Sequence, residues 1–436
     1  MTLLLWLSSW SNISVLGVFL TVFTILVDFM KRRKKWSRYP PGPVSLPFVG
    51  TMPFINYSDP HHSFEKYRKK FGNIFSLQNC WTNVVVLNGY KTVKEALVNK
   101  SEDFADRPYF HIYEHMGYGP NSEGKSFADV HSLQAVAQGG LGRPFDPDLH
   151  LNNAVCNLIC AITYGECFDY GDEAFKKLLT LFDNTLKEEV GFLPQLLNVV
   201  PILLRIPGLP RKVFPCQKEY TDYTEELIDK HRETWNPADI RDFTDAFLKE
   251  MAKGKDAEEK GFNKNNLSLV TSDLFAAGSL TTSTTLRWAL LFMILHPEIQ
   301  NQVNIPYTTA VIHEVQRCAD LVPVGLPHRT YRDTELQGFF IPKDETVWKK
   351  PNEFYPEHFL NEDGQFVRPE AFLPFSAGRR ACLGEQLARM ELFIFFTTLM
   401  QKFTFVIPED QPRPRQDSHF SLTNKPYPYQ LRAVPR

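Results

Sequence analysis

Residues 375–385 read Phe375-Ser376-Ala377-Gly378-Arg379-Arg380-Ala381-Cys382-Leu383-Gly384-Glu385, and they run directly into a helix predicted over Gln386–Gln401. A glycine-containing loop that ends at a helix start points backbone N–H groups toward one place. A cysteine sulfur at that place is expected to be held as a thiolate. The segment therefore predicts that Cys382 supplies an anionic sulfur ligand.

Such a thiolate can be the proximal ligand of haem iron, where its electron donation favours cleavage of an O–O bond. Gly378 and Gly384 would let the backbone pass close to a flat macrocycle. Arg380 offers a cation for a haem carboxylate, and Phe375 can shield the sulfur from water. The alternative is one free cysteine in a loop. Because the pattern F-x-x-G-x-R-x-C-x-G should arise by chance only on the order of 10⁻⁴ times in such a chain, we favour a haem site.

On these residues the segment resembles the cysteine loop of the cytochrome P-450 superfamily, and the chain is similar to its microsomal family 2, subfamily D. The resemblance extends from the amino-terminal segment and Pro40-Pro41-Gly42-Pro43 to Ala433-Val434-Pro435-Arg436. It implies a P-450-like fold, mainly α with minor β, in which one large helical body carries small antiparallel sheets. It also implies haem b (iron protoporphyrin IX) with Cys382 as the axial ligand.

The resemblance implies a monooxygenase that oxidises small apolar molecules of xenobiotic, lipid or steroid type with O₂. Its electrons would come from NADPH-cytochrome P-450 reductase, with cytochrome b5 as a further partner and no nucleic acid. Two other hypotheses remain open. One is a variant that binds haem poorly and does not turn over, and the other is a peroxidase or isomerase that needs no reductase.

Other positions match the family's structural and oxygen-binding motifs. Glu314-Val315-Gln316-Arg317 matches the E-x-x-R helix, and His358 stands where many relatives have an arginine partner. Thr281 resembles the threonine that assists oxygen activation, although Leu280 replaces the acid that usually precedes it. Taken alone, Thr281 could equally bond back to its own helix backbone.

Substrate and haem contacts are also implied by the resemblance. Asp273, two turns before Thr281, could anchor a cationic amine, or as a buried acid it could hold the backbone of a nearby loop. Gln195 stands where the subfamily has a second acid for amines. The implied pocket walls are Phe192, Ala277, Val324, Phe420 and Leu422. The implied haem-carboxylate contacts, besides Arg380, are His328 and Arg107.

Composition excludes several other classes of protein. The 436 residues are 43% hydrophobic and 22% charged with a net charge of −2, which excludes a disordered chain and a globally basic nucleic-acid binder. Seven cysteines without a C-x-x-C pair exclude a disulfide scaffold and a zinc ribbon, and they suit a reducing compartment.

The amino terminus predicts a membrane anchor. The apolar stretch Leu3–Val27 is long enough to span a bilayer, and the basic cluster Lys31–Lys35 follows it rather than precedes it. We expect an anchor over residues 1–30, a basic and proline-rich hinge over 31–43, and a haem-thiolate monooxygenase domain over 44–436. The body would lie on the cytosolic side of the endoplasmic reticulum membrane. A cleaved secretory signal is the alternative.

The rest of the chain reads as mainly helical. Leu267–Leu295 predicts a long helix buried in a globule, because Asp273, Arg287 and many hydroxyls argue against a second membrane span. Cys156 and Cys160, one turn apart, read as core residues. Further predicted elements are a strand at Trp81–Leu87, helices at Thr92–Lys100, Asn152–Ile162, Phe175–Val190 and Tyr220–Trp235, a solvated loop at Lys253–Lys260, and strands at Glu335–Ile341 and near the carboxyl end.

We expect three segments of the family to have no counterpart in this chain: near residues 125–140, between 303 and 306, and between 343 and 344. The first would carry a Trp-x-x-x-Arg that binds a haem carboxylate and would form part of the reductase-docking face. Losing such a cation would weaken haem binding by roughly 1.5–3 kcal/mol.

Overall fold

The structure is a computed structural model that describes residues 17–24, 26–27, 30, 39–57, 59–80, 82–108, 143–189, 192–302, 305–323, 325–330, 348–420 and 423–436. The chain divides into two compact units. The smaller comprises residues 1–104 and 330–344, and the larger comprises residues 105–329 and 345–436.

The described part of the smaller unit contains a hairpin between short helices. Its elements are α1 (Pro60–Phe71), β1 (Ile74–Asn79), β2 (Thr82–Leu87) and α2 (Tyr90–Lys94), with a 3-10 turn at Met52–Phe54 and a π-helical turn at Glu95–Asn99. The two strands are antiparallel, with Ile74 opposite Leu87 and Asn79 opposite Thr82. The predicted strand over 81–87 is confirmed for its described residues. The helix predicted over 92–100 is instead α2 followed by the π-helical turn.

The larger unit is mostly helical. Its described helices are α3 (Pro147–Tyr164), α4 (Glu173–Glu189), α5 (Phe192–Val199), α6 (Leu209–Val213), α7 (Pro215–Glu233), α8 (Phe243–Met251), α9 (Lys255–Glu259), α10 (Lys264–Leu295), α11 (Pro297–Asn301), α12 (Ile305–Ala319) and α13 (Glu385–Lys402). Short 3-10 turns lie at Pro201–Arg205, Pro356–Phe359 and Gly378–Arg380.

Two small antiparallel sheets lie in the described part of the larger unit. Strand β3 (Phe403–Val406) pairs with the last strand, and β4 (Ser418–Phe420) pairs with β5 (Asn424–Pro426). The last strand, β6 (Arg432–Pro435), places Arg432 opposite Val406. The prediction of a mainly helical fold with small antiparallel sheets is confirmed.

Helix α10 runs through the core of the larger unit, as predicted. The Asn263 side chain caps its first turn by accepting from the Asn266 N–H at 2.9 Å, and Pro297 follows directly after its end. Every residue from Thr282 to Leu295 is buried. Arg287 is tolerated there because Asp148 pairs with it at 2.9 Å.

Helix α3 packs against α10 and supplies much of the same core. Cys156 and Cys160 are completely buried on α3, which confirms their reading as core residues. Gly278 of α10 lies where a Cβ atom would come within 2.6 Å of the Ile159 Cδ1 atom. The two helices therefore approach closely because residue 278 has no side chain.

One prediction about the helices is wrong in detail. Lys253–Lys260 is not simply a solvated loop, because it contains the short helix α9. Gly254, at φ +88°, turns the chain into this helix, and Ala257 anchors it in the core at 5% exposure. The charged side chains around Ala257 remain exposed, as the sequence indicates.

Several predictions fall wholly or partly outside the described residues. They include most of the amino-terminal segment, the strand at 335–341 and the three junctions near 125–140, 303–306 and 343–344. Of residues 1–30 only 17–24, 26–27 and 30 are described, and they are helical. Within the described part of the chain, no helix combines the length and apolarity that a membrane crossing needs.

Candidate functional site

The loop before α13 presents Cys382 at the surface. Ser376 and Gly378 both adopt positive φ, at 62° and 76°, and the chain then makes the 3-10 turn Gly378–Arg380. The Cys382 N–H donates to the Phe375 carbonyl at 2.8 Å, which closes the loop. The loop thus holds residue 382 through its own backbone and leaves the side chain exposed.

The two glycines of the loop have different reasons to be glycine. Gly378 needs its left-handed φ, which a side chain would strain. Gly384 has an ordinary φ of −84°, so backbone strain does not select glycine there. A Cβ atom at residue 384 would instead lie 4.0 Å from the Cys382 Sγ atom, which makes this glycine part of the immediate surroundings of the sulfur.

The surroundings that the chain itself provides raise the pKa of the Cys382 thiol above its ordinary value. Desolvation raises its pKa, a hydrogen bond from the backbone N–H of Gly384 lowers it, and the charge of Glu385 raises it, with a net increase. In the chain alone, the hydrogen bond from the Gly384 N–H does not outweigh the two contributions that raise this pKa. An iron ion that bound this sulfur would have to displace its proton.

A network of four side chains lies behind the loop, and the sequence analysis did not identify it. Arg389 donates through Nε and Nη2 to Glu385 Oε1 at 3.0 and 2.8 Å, and through Nη1 to His313 Nε2 at 2.7 Å. Its guanidinium carbon lies 5.2 Å from the centre of the Phe375 ring. The i,i+4 spacing of Glu385 and Arg389 could have predicted their ion pair from the sequence. Nothing in the sequence indicates that His313 joins them.

Two arginines predicted to contact haem carboxylates lie on interacting backbone segments. Arg107 Nη1 donates to the Pro327 carbonyl at 2.7 Å, and Arg380 Nε donates to the Ala105 carbonyl at 2.6 Å. The pKa of Arg107 is lowered by burial and by the charge of Arg380. His328 follows Pro327 directly, so the chain brings all three predicted residues to one region.

Helix α10 exposes a narrow stripe in the middle of its length. Asp273, Ala277 and Thr281 follow one another at four-residue spacing, and Asp273 and Ala277 are exposed while Thr281 is half-buried. Asp273 is therefore not the buried acid that the sequence analysis expected. The Thr281 hydroxyl donates to the Ala277 carbonyl at 2.6 Å, and the helix continues through this point without a break. Gly278, within the same turn, packs closely against Ile159.

A buried carboxyl group connects α10 with α13. The Thr282 hydroxyl donates to Glu391 Oε2 at 2.8 Å, and both residues are at most 2% exposed. Burial raises the pKa of Glu391 to about 7, although the bond from Thr282 opposes this shift. Sequence analysis missed this contact because the two residues are 109 positions apart.

Glu314, Arg317 and His358 are brought into contact. Arg317 Nε and Nη2 each donate to a Glu314 carboxylate oxygen at 2.8 Å, and Nη2 also donates to the Glu353 carbonyl at 2.8 Å. His358 Nδ1 lies 3.3 Å from both carboxylate oxygens. The Tyr355 N–H donates to Glu314 at 2.7 Å, so Glu314 is a buried junction between α12 and the 350–358 segment.

The implied pocket walls can be placed only in part. Val324 and Leu422 lie outside the described residues. Phe192 and Gln195 belong to α5 and Phe420 to β4, but the structure describes only the backbone at these three positions.

Two groups of described side chains have metal-ligand chemistry away from the cysteine loop. Asp59, His61 and His62 form one of them, on the surface of the smaller unit. His231, Asp242 and Asp245 form the other, in the larger unit. Arg241 already pairs with Asp245 there at 2.7 Å, so the charge of the second group is balanced by protein.

The residues of the larger unit fit a haem group. A cysteine exposed by a backbone-built loop provides the sulfur ligand. Arg107 and Arg380 lie close enough for one to depress the pKa of the other, so an anionic carboxylate would relieve their repulsion. These residues would hold the iron and a carboxylate of the macrocycle.

Comparison with known proteins identifies the family. The family model described as cytochrome P450 matches residues 40–138 and 130–433. Cytochrome P450 2D14 of Bos taurus is 47% identical over 498 residues, covering 99% of this chain and 100% of the relative. Cytochrome P450 2D6 of Homo sapiens is 46% identical over 489 residues (97% and 98%), and cytochrome P450 2D4 of Rattus norvegicus is 46% identical over 494 residues (98% and 99%).

The same comparisons show that the chain is shorter than its relatives. The alignment with the Bos taurus protein spans 498 positions against 436 residues here, so at least 62 of its positions (498 minus 436) have no counterpart. The family match also comes in two parts, which meet within the stretch near 125–140 where a missing segment was predicted. The resemblance to microsomal family 2, subfamily D is confirmed, and the unmatched positions agree with the apparent internal deletions.

Proposed function

Since this chain belongs to the cytochrome P450 family and is thereby a monooxygenase-type oxidoreductase, we propose that it is a membrane-anchored haem-thiolate enzyme that oxidises small apolar organic molecules. The observation that carries the proposal is Cys382, exposed at a loop whose backbone fixes its position. When bound, haem b supplies the redox chemistry by which one oxygen atom of O₂ is inserted into a C–H bond.

The chain's own residues would hold the cofactor from two sides. Cys382 would bind the iron through Sγ, with the Gly384 N–H as a hydrogen-bond donor to the sulfur. Arg380, Arg107 and His328 would bind a haem carboxylate. Gly378 shapes the loop, and the Phe375 ring would exclude water from the sulfur.

The exposed stripe of α10 would face the substrate. Thr281 would assist oxygen activation by giving up its bond to Ala277 and holding a proton donor in place. Asp273 and Ala277 would contact substrate from the same helix. The remaining contacts expected from the family are Phe192, Gln195, Val324, Phe420 and Leu422.

Glu314, Arg317 and His358 would act only through structure, because their contacts lie between α12 and the 350–358 segment. We further propose that the amino-terminal segment anchors the protein in the endoplasmic reticulum membrane. The electrons would come from NADPH-cytochrome P450 reductase, with cytochrome b5 as a second partner.

A second candidate is a family member that takes up haem poorly and does not turn over. The 62 or more missing alignment positions favour it, because one junction lies where the family has a further haem-carboxylate cation and part of the docking face. Damage confined to docking would leave a haem protein that reacts with peroxide and not with the reductase.

The experiment that separates these candidates uses the full chain in lipid vesicles with a panel of apolar substrates. One arm receives reductase and NADPH, and the other receives hydrogen peroxide alone. Product in the NADPH arm supports the proposed monooxygenase. Product in the peroxide arm only shows a functional haem site without productive docking, and product in neither arm supports the inactive variant.

A further inference from the structure

We propose that Arg389 is a positioning residue for the cysteine loop: it holds the Phe375 ring against its guanidinium group and neutralises Glu385. This inference rests on the proposed function insofar as Cys382 is taken as the iron ligand. Arg389 itself touches neither the sulfur nor any reacting atom in the described contacts, so its action would run through Phe375 and Glu385.

The first step is the orientation of His313. Its Nδ1 lies 2.7 Å from the Thr309 carbonyl oxygen, an atom that can only accept, so Nδ1 carries the hydrogen. The ring packs against Phe359, Phe366 and Phe372, with ring centres 4.6 to 5.5 Å apart. Burial lowers the pKa of His313 to about 4, so the ring is neutral at physiological pH and Nε2 is free to accept.

The second step is the orientation of the guanidinium group. Arg389 donates to His313 Nε2 through one nitrogen and to Glu385 through the other two. Three directed bonds from a planar group fix the plane itself, which a lysine ammonium could not achieve. With the plane fixed, the cation lies 5.2 Å from the centre of the Phe375 ring, within the range of a cation–π interaction.

The third step links this ring to the ligand. The carbonyl of Phe375 accepts the Cys382 N–H at 2.8 Å, so a displacement of residue 375 moves the backbone that carries the sulfur. The contacts therefore run without a gap from the neutral His313, through Arg389 and Phe375, to Cys382.

The fourth step concerns charge. Glu385 is three residues from Cys382, and its negative charge would oppose a negative charge on the sulfur. Its Oε1 atom receives bonds from Arg389 and lies 3.3 Å from Arg368 Nη1. Removal of the Arg389 cation would leave more of the Glu385 charge acting on the sulfur.

The test compares Arg389→Gln, Arg389→Lys and Phe375→Leu in the full chain, together with Arg389→Gln/Phe375→Leu. Arg415→Gln is the matched control, because Arg415 also pairs with a carboxylate, Asp417, and lies 4.4 Å from the centre of an aromatic ring, Tyr427. The measurements are the reduction potential, the rate at which the carbon monoxide complex loses its thiolate-type band on mild heating, and hydrogen exchange of the Cys382 amide.

We expect Arg389→Gln to shift the reduction potential and to speed loss of the thiolate-type band about tenfold, with Arg415→Gln unchanged. Arg389→Lys should keep the potential near that of the wild type, because the charge remains, yet still speed exchange of the Cys382 amide. The effects of Arg389→Gln and Phe375→Leu should not add, since one acts through the other.

Equal behaviour of Arg389→Gln and Arg415→Gln, or additive effects of the Arg389 and Phe375 substitutions, would overturn the proposal. If Arg389→Gln does not fold, hydrogen exchange of the Cys382 amide in Arg389→Lys is the deciding measurement. An exchange rate equal to that of the wild type would also overturn the proposal. A wild-type protein without any thiolate-type band would refute the proposed function. Hydrogen exchange of the Cys382 amide, measured in the chain without haem, would still test the role of Arg389.

Discussion

Glu391 is the residue whose ionisation should be easiest to detect in the stability of the protein. Its pKa is raised from 4.5 to about 7, so between these values the native state holds a proton that the unfolded chain has lost. Stability should therefore fall as pH rises from about 4.5 to 7 and then level off. We predict that Glu391→Gln removes this fall, which amounts to about 3 kcal/mol.

The measurement is the free energy of urea unfolding of wild type and Glu391→Gln from pH 4.5 to 8. The difference in free energy of unfolding between the two proteins should grow steadily up to neutral pH. Above pH 7 the variant should be the more stable protein. Glu409→Gln, an exposed carboxylate on the same unit, is a suitable control. Parallel pH curves for wild type and Glu391→Gln would show that Glu391 ionises normally.

The two loop glycines should respond differently to alanine. Gly378→Ala places a side chain at φ +76° and should destabilise the loop by about 1–2 kcal/mol. Gly384→Ala meets no backbone strain, but its Cβ would lie 4.0 Å from the sulfur. We predict that Gly384→Ala leaves unfolding almost unchanged and lowers haem content. Unfolding curves and the haem-to-protein ratio measure the two effects, and an equal loss of stability in both variants would contradict this assignment.

At the scale of elements, the contact between α3 and α10 depends on Gly278. A methyl group there would come within 2.6 Å of Ile159 Cδ1 and 3.1 Å of its Cγ1, and Ile159 is only 2% exposed. We predict that Gly278→Ala destabilises the protein by about 1–3 kcal/mol despite the higher helix propensity of alanine.

Ile159→Val removes the clashing Cδ1 atom, so it should restore part of the stability lost in Gly278→Ala. Gly171→Ala is the matched control, because a Cβ atom there meets nothing within 4 Å. Strict additivity of Gly278→Ala and Ile159→Val in thermal unfolding would mean that the two side chains do not compete for the same space.

The stability of the junction of α7 and α8 should decrease both at high pH and at low pH. Burial alone would lower the pKa of His231, but Asp242 and Asp245 outweigh it and raise that pKa. Burial would raise the pKa of Asp245, but Arg241 and His231 lower it. The contribution of His231 is therefore complete below pH 6.5 and is lost as pH rises through its raised pKa, while that of Asp245 is lost in acid.

We predict that His231→Gln costs roughly 1–3 kcal/mol at pH 6, because two buried carboxylates lose a charged donor. This cost should shrink as pH rises above the raised pKa of His231. Urea unfolding of both proteins between pH 5.5 and 9 checks the sign, and a cost that grows with pH would show that His231 is neutral in the folded protein.

The elements differ in how far the sequence could predict them. Helix α10 was predictable because a long, largely apolar stretch without proline ends at His296-Pro297. Strand β1 was not, because Ser76 and Gln78 look exposed in the sequence. Both are buried through bonds to distant partners, Ser76 Oγ to the Pro40 carbonyl at 2.7 Å and the Gln78 N–H to Thr51 at 2.8 Å.

At the scale of the whole molecule, the cysteine loop carried most of the information about family and function. Its residues are consecutive, so the pattern is complete in the sequence. The supporting shell is not consecutive, since His313 and Arg389 are 76 positions apart and Thr282 and Glu391 are 109 apart. Such pairs depend on how α10, α12 and α13 pack, which local patterns do not specify. The raised pKa of Cys382 was missed for the same reason, because desolvation is a property of the folded loop.

The central claim is a bond between Cys382 and haem iron, and the most direct test is the spectrum of the reduced full chain with carbon monoxide. This spectrum reports haem content and thiolate ligation together. The account predicts a thiolate-type band for the wild type and its loss in Cys382→Ser, while Cys167→Ser, at another exposed cysteine, keeps it. A colourless wild-type protein, or a Cys382→Ser variant with the wild-type band, would contradict the account.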